Sequence, residues 1–186
     1  MTRQTVRRLS LCLVLLVLAS WAAGSAWRRF LHSCYPQGYS ASVQKYCERY
    51  GVASDLIYAV IHTESGFSPK AVSPIGARGL MQITEETFEW SKWRMGEENV
   101  QFSDLFDSDT NIRYGTYILS VLLDEFGSAE TALAAYHAGW GSVKRWLSDG
   151  DLSDDGQTLS HIPFEKTRQY VPRVVQVQSI YASLYR

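Results

Sequence analysis

The chain has 186 residues, 46% hydrophobic and 20% charged, enough for one globular domain and an extra segment but not for a repeat array or a multidomain assembly. Six Trp and 11 Tyr in that length argue against disorder and for a ring-lined cleft. Arg3, Arg7, Arg8, Arg28 and Arg29 all precede Cys34, where no Asp or Glu occurs, so removing them from a net charge of −1 leaves −6 on residues 35–186. A domain that acidic lacks the cationic footprint needed to neutralise phosphates, which excludes nucleic acid as a partner.

Residues 9–27, LSLCLVLLVLASWAAGSAW, carry no charge, follow three arginines and precede two. This is the pattern of a membrane-directed segment. At about 1.5 Å per residue it spans a hydrocarbon core of about 30 Å, and Arg28-Arg29 resemble a stop-transfer flank, so an uncleaved anchor is the first reading. Cleavage is the alternative, because the most apolar stretch, residues 9–19, has signal-peptide length and Gly24-Ser25-Ala26 supplies small residues. Either way the charge bias leaves residues 35–186 outside the cytoplasm, behind a tether at 33–39 containing Pro36 and Gly38. Cys34 follows two arginines, which disfavours a lipoprotein. Cys12 lies within the apolar run, and an oxidising exterior permits Cys34 and Cys47 either to pair or to remain thiols. Neither a Cys-x-x-Cys pair nor a cluster of His32, His62, His137 and His161 defines a metal site, and no cofactor is implied.

Past the tether, helical periods are separated by Gly, Pro and Ser without sustained alternation of period two, which predicts a mostly α domain. Helices are expected over residues 41–50, 55–65, 85–93, 110–126, 129–138, 143–147 and 164–185, with Ser54, Thr84, Asp109, Ser128 and Ser142 as candidate N-caps and Gly51, Gly66 and Gly127 as stops. The acidic stretches 107–111 and 151–156 contain parts of a calcium-loop pattern. Ile112 replaces the turn glycine of the first, and Ile118 and Ile162 occupy the twelfth positions, so capping or solvated loops are expected instead.

In the helix expected to end at Ser65, Leu56, Ile57, Val60 and Ile61 form an apolar stripe that Glu64 continues, at i+3 from Ile61 and i+4 from Val60. Gly66 stops the helix and Pro69 blocks its resumption, leaving Glu64 at the negative end of the helix dipole. Desolvation and that dipole both disfavour the anion, so the carboxyl pKa should rise, and a neutral Glu near pH 7 can donate a proton. The competing arrangement turns Glu64 outward or pairs it with Arg78. Residues 73–82 mix Gly and Pro with apolar side chains and read as a cleft wall. There Gly76 and Gly79 permit close backbone approach, and Ser73 and Gln82 offer neutral groups suited to sugar hydroxyls and acetamides. Residues 134–140 end another helix with Tyr136, His137 and Trp140; sugar rings stack on such aromatics, while Tyr136 fits a core position equally well.

Taken in order, Glu64-Ser65, Gly79-Leu80-Met81-Gln82, Ala135-Tyr136-His137-Ala138-Gly139 and Thr167-Arg168-Gln169-Tyr170-Val171 resemble the motif set of the soluble-type (Slt-like) lytic transglycosylases of the lysozyme-like superfamily. The resemblance covers about residues 40–186, with Gln82 eighteen residues after Glu64, and His137 stands where the third motif usually has Asn. It implies a mostly α, lysozyme-like fold of the goose-type lysozyme and Slt catalytic-domain kind for a catalytic domain at 35–186, which follows the N-terminal transmembrane or signal helix and short tether read from the apolar run at 1–34. It further implies a bacterial cell-wall lyase acting on peptidoglycan glycan strands, membrane-anchored and extracytoplasmic, or secreted after cleavage. Glu64 would be the sole acid/base at the β-1,4 bond between N-acetylmuramic acid and N-acetylglucosamine. It would protonate the glycosidic oxygen and then deprotonate the muramyl C6 hydroxyl, which closes a 1,6-anhydro ring without water. The four motifs hold no second carboxylate, unlike the paired scheme of glycoside hydrolysis, although Glu85, Glu86, Asp107 and Asp109 stand elsewhere in the chain. By the same resemblance Ser73 and Gln82 orient the sugar and acetamide, Tyr136 and His137 line the cleft, Tyr170 holds Glu64, and Ser65 supports the motif structurally. A muramidase of goose-type lysozyme character, using water instead, and a non-catalytic glycan-binding domain are the alternatives.

Overall fold

The computed structural model describes residues 3–185; within its first helix the side chains of residues 3, 5, 6, 8–12 and 14, which include Arg3 and Arg8 of the charge flank and Leu9 and Cys12 of the apolar run, lie outside the described residues. Two compact units are present, one of residues 1–36 with 184–186 and one of residues 37–183. The first consists mainly of α1 (Arg3–Cys34), on which Leu13, Leu15, Leu16, Val17, Leu18, Trp21 and Trp27 are exposed. Among the described residues no helix is long and apolar enough to cross a membrane. Within this unit the Tyr185 hydroxyl donates to the Tyr35 carbonyl at 2.7 Å, and the His32 ring meets the Tyr185 ring edge-on at 4.8 Å.

The second unit is helical: α2 (Ser40–Tyr50), α3 (Ser54–Ser65), α4 (Glu85–Met95), α5 (Ser108–Phe126), α6 (Ala129–Ala138), α7 (Trp140–Leu147) and α8 (Glu165–Tyr185), whose last turn extends beyond it. Gly51, Gly66 and Gly127 end α2, α3 and α5 in the left-handed conformation, with φ of 68°, 57° and 66°. Thr84 and Ser128 cap α4 and α6 by accepting from the Thr87 and Thr131 amides. The other three caps differ from expectation. Ala53 precedes α3 without a side-chain cap, and α7 starts directly after Gly139, which puts Ser142 inside it. Asp107, not Asp109, caps α5 by accepting from the Thr110 amide at 2.9 Å. A 3₁₀ turn at Phe102–Phe106, invisible to helical periodicity because it is one turn long, fills the approach to α5. Cys34 and Cys47 are both free thiols.

α5 is the central helix, with Ile112, Tyr114, Ile118, Leu119 and Leu122 buried, and it packs against α2, α4, α6 and the 3₁₀ turn. A helix apolar on most of its circumference can only sit in the middle of such a bundle. Between α3 and α4 the chain forms single antiparallel bridges, Val72 with Arg78 and Arg78 with Ile83, rather than helix. That irregular stretch is the wall beside the end of α3.

Asp109 serves α2 instead of its own helix. Its carboxylate accepts from Ser42 Oγ at 2.7 Å, Lys45 Nζ at 3.2 Å and the Tyr46 hydroxyl at 2.6 Å. Tyr46 is only 2% exposed, so losing its acceptor leaves a buried hydroxyl unsatisfied. Asp109→Ala is expected to lower stability by about 1–3 kcal/mol in urea denaturation, with no effect expected from a cap that Asp109 does not form.

Candidate active site

Glu64 stands in the last turn of α3, and its neighbour Ser65 ties that turn to the wall. The Ser65 hydroxyl donates to the Leu80 carbonyl at 2.8 Å, with the Ile61 carbonyl at 3.2 Å sharing the donor. Downstream of α3, Ser73 opens a tight turn in which its Oγ accepts from the Ala77 amide at 3.0 Å and Gly76 adopts φ 83°. That arrangement leaves the Ser73 hydroxyl hydrogen to donate elsewhere. Gln82 has φ 49°, a left-handed conformation unusual for a side chain of its size. Its amide nitrogen donates to the Gly79 carbonyl at 2.8 Å and the Ala71 carbonyl at 3.2 Å, so Oε1 remains as the acceptor.

The other walls come from α6 and α8. The Tyr136 hydroxyl donates to the Met81 carbonyl at 2.7 Å, so the phenol is committed to the backbone and the ring is what it can present to a ligand. His137 is exposed on one side, while its Nδ1 lies 3.0 Å from the hydroxyl of the buried Thr167 and its ring 4.5 Å from that of Tyr170. Of the residues singled out in the sequence, Glu64, Tyr136, His137 and Tyr170 therefore form one cluster. Gln82 adjoins it through Met81, and Ser73 sits in the preceding turn. Thr167 lies within the fourth motif, but only the fold reveals its contact with His137.

The electrostatics centre on Glu64. Burial raises its pKa from 4.5 to about 7, and the Tyr170 hydroxyl partly opposes that rise. The hydroxyl of Tyr170 is enclosed and meets no partner at full hydrogen-bonding geometry, yet it is close enough to Glu64 to favour the carboxylate. Such loosely made contacts are common before substrate binds. Both phenols are pushed well above the ordinary tyrosine value, first by burial and then by Glu64 itself, so neither contributes a charge. Partial burial, and then the Lys166 ammonium, lower the His137 pKa and keep that ring neutral.

Arg78, the alternative partner for Glu64, instead lies over the Phe102 ring at 4.0 Å and the Phe106 ring at 5.3 Å, and no ion pair among the described residues includes Glu64. No second carboxylate contributes to the Glu64 shift. Asp107 and Asp109 are engaged as described, and Glu85 and Glu86 are exposed in the first turn of α4. In the second acidic stretch Asp155 organises a turn, accepting from the Gln157 and Thr158 amides at 2.7 Å each. The site can thus deliver one proton from one carboxyl group in neutral, ring-lined surroundings.

A family model described as the Transglycosylase SLT domain matches residues 41–156. The chain belongs to that family. Among its SLT-domain relatives is the soluble lytic murein transglycosylase of Escherichia coli strain K12, 32% identical over 162 residues that cover 86% of this chain and 25% of that protein. Another is the membrane-bound lytic murein transglycosylase C of Pectobacterium atrosepticum, 33% identical over 167 residues, covering 77% and 46%. An inactive variant of the lytic transglycosylase Slt from Pseudomonas aeruginosa has the same fold, with a TM-score of 0.71 at 32% identity, covering 82% of this chain and 25% of that one. A 70-kDa soluble lytic transglycosylase in complex with bulgecin A gives 0.73 at 29% identity, covering 87% and 26%. The mostly α, lysozyme-like Slt fold expected from the motifs is therefore the fold observed. The chain spans about a quarter to a half of the length of these relatives.

A carboxyl group with a raised native pKa costs stability once it ionises. Below the unfolded value near 4.5 the group is neutral in both states; between that value and about 7 the unfolded state ionises while the folded state does not, so stability falls across this range and the loss is complete above about 7. Glu64→Gln is therefore expected to unfold at higher denaturant than the parent at pH 8, by about 1–3 kcal/mol, and to converge with it at pH 4.5. Denaturation midpoints at the two pH values check this.

Proposed function

We propose that residues 35–186 form a lytic transglycosylase domain that cleaves the β-1,4 bond between N-acetylmuramic acid and N-acetylglucosamine in peptidoglycan, with Glu64 as the single acid and base. The observation that carries this reading is a lone carboxyl group with a pKa of about 7, flanked by Tyr136 and Tyr170 and without a second carboxylate. Near neutral pH such a group is part acid and part base, as a residue with both duties must be. As the acid, Glu64 protonates the glycosidic oxygen and the C1–O bond breaks. As the carboxylate, it takes the C6 hydroxyl proton while that oxygen bonds to C1, and the 1,6-anhydro ring closes with Glu64 reprotonated. The substrate acetamide assists at C1. The free Ser73 hydroxyl hydrogen and Gln82 Oε1 suit sugar hydroxyls and an acetamide N–H, His137 and the Tyr136 ring border the sugar, and Tyr170 steadies Glu64. The relatives named as murein transglycosylases support the same chemistry.

The N-terminal helix is read as a membrane anchor, the catalytic domain lying outside the cytoplasm. Five consecutive or near-consecutive exposed positions, Leu13 and Leu15 to Leu18, put apolar side chains all round α1, which water does not favour and lipid does. Arg28-Arg29 mark its outer end. One relative is named as membrane-bound.

Glu64→Gln should lower peptidoglycan turnover by about 10²–10⁴-fold. The parent's rate should fall as pH rises through about 7, where the acid form is lost. Mass analysis of released muropeptides separates the readings: anhydro ends lighter by one water than reducing ends identify the transglycosylase, reducing ends a muramidase, and glycan binding without turnover a binding domain. Deleting residues 1–34 should move the protein from the membrane to the soluble fraction on cell fractionation, whereas a cleaved segment would leave the parent there already.

A further inference from the structure

Asn111 was singled out in the sequence only as part of an acidic stretch, yet it is completely buried and makes three hydrogen bonds. Its Oδ1 accepts from the Met81 amide at 2.8 Å, and its Nδ2 donates to the Leu105 carbonyl at 2.8 Å and the Arg78 carbonyl at 3.0 Å. The Met81 backbone is therefore held at its N–H by Asn111 of α5 and at its C=O, in the following peptide unit, by the Tyr136 hydroxyl of α6. One residue earlier the Leu80 carbonyl is held by Ser65, next to Glu64 in α3. Two glycines make the grip possible. A Cβ on Gly79, which has φ 76°, would run into the Asn111 amide, and a Cβ on Gly115 would run into the Met81 side chain. Asn111 and Gly115 lie one turn apart on the same face of α5, so one grips the Met81 backbone while the other makes room for its side chain.

We propose that Asn111 is a positioning residue for the acid, acting through the Met81 peptide to hold the Tyr136 hydroxyl and the Gln82 backbone in register with Glu64. This rests on the reading of Glu64 as the acid/base. Asn111 touches neither substrate nor Glu64. Its amide supplies donors and an acceptor at fixed angles to a turn that only the single Arg78–Ile83 bridge closes, and it fixes the residue before Gln82, whose left-handed conformation is also tied by its own amide to Gly79. Freed from Asn111, the 79–82 segment shifts, Tyr136 loses its acceptor, and water reaches the carboxyl group.

The test uses Asn111→Ala and Gly115→Ala in the full chain, with Asp109→Ala as the control that perturbs α5 without touching the wall. Gly115→Ala removes no hydrogen-bonding group, gains helix propensity and displaces Met81 by sterics alone, so it decides the matter if Asn111→Ala does not fold. On soluble glycan strands, both variants should lose about 10–100-fold in kcat per folded molecule with KM changed less than about threefold, as a misplaced wall costs chemistry more than binding. The alkaline limb of their pH–rate profile should move down by about one pH unit as Glu64 becomes hydrated. The control should keep both. A readout independent of turnover is the stability gain of Glu64→Gln at pH 8, which should shrink by about half or more in the Asn111→Ala or Gly115→Ala background. Unchanged kcat, pH limb and stability coupling in the variants that fold would overturn the proposal. Activity surviving Glu64→Gln would instead sink the acid/base reading, and the stability coupling would still judge whether Asn111 positions the carboxyl group.

Discussion

Ionising Glu64 means placing a negative charge at the C-terminal turn of a helix, beside the phenols of Tyr136 and Tyr170 and with no ion-pair partner among the described residues. Burial pushes the group up, and only the Tyr170 hydroxyl pulls the other way, which sets the balance near 7. The neighbours follow from that constraint. An arginine on the carboxylate would hold it ionised, and Arg78 is occupied by Phe102 and Phe106. A second acid nearby would hold it protonated, and the candidate carboxylates cap helices, bind α2 or face solvent. Acid and base forms of comparable free energy are what a single group needs if it is to give a proton and then take another.

Among the described residues the surroundings are assembled without ion pairs. α3, α5 and α6 converge on the 79–82 wall through hydroxyls and an amide that bond backbone carbonyls and one backbone N–H: Ser65 to Leu80, Tyr136 to Met81, Asn111 to Met81. Neutral, directional bonds of this kind fix geometry without adding charge, so the carboxyl group's proton affinity is left to burial and Tyr170. The unusual backbone of Gln82 sits in the middle of this framework, where the bonds on either side can sustain it.

What the sequence made legible was local or periodic. Helix existence followed from apolar spacing, three helix ends from Gly51, Gly66 and Gly127, and the partial burial of Glu64 from its place on the stripe of the fully buried Ile57, Val60 and Ile61. What it hid was long-range. Asp109 satisfies every local rule for a cap, but three donors from α2, more than sixty residues away in sequence, claim it and leave the capping to Asp107. Asn111 carries no local signature at all, although a polar residue and a glycine one turn apart on the apolar face of α5 were a visible irregularity. A buried amide on a face otherwise made of Ile112, Ile118 and Leu119 has to be satisfied by something, and here that is the wall.

His137, where the motif usually has Asn, fits the same logic of neutrality. A cationic imidazole beside Tyr170 would draw the Glu64 proton off and lower the acid's pKa. Partial burial and the adjacent Lys166 keep the ring uncharged. Its Nδ1 is engaged with the Thr167 hydroxyl and its ring lies tilted against that of Tyr170. A neutral imidazole so placed keeps, as an amide would, one further hydrogen-bonding group and lies against the tyrosine beside Glu64, so His in place of Asn leaves the charge around the carboxyl group unchanged.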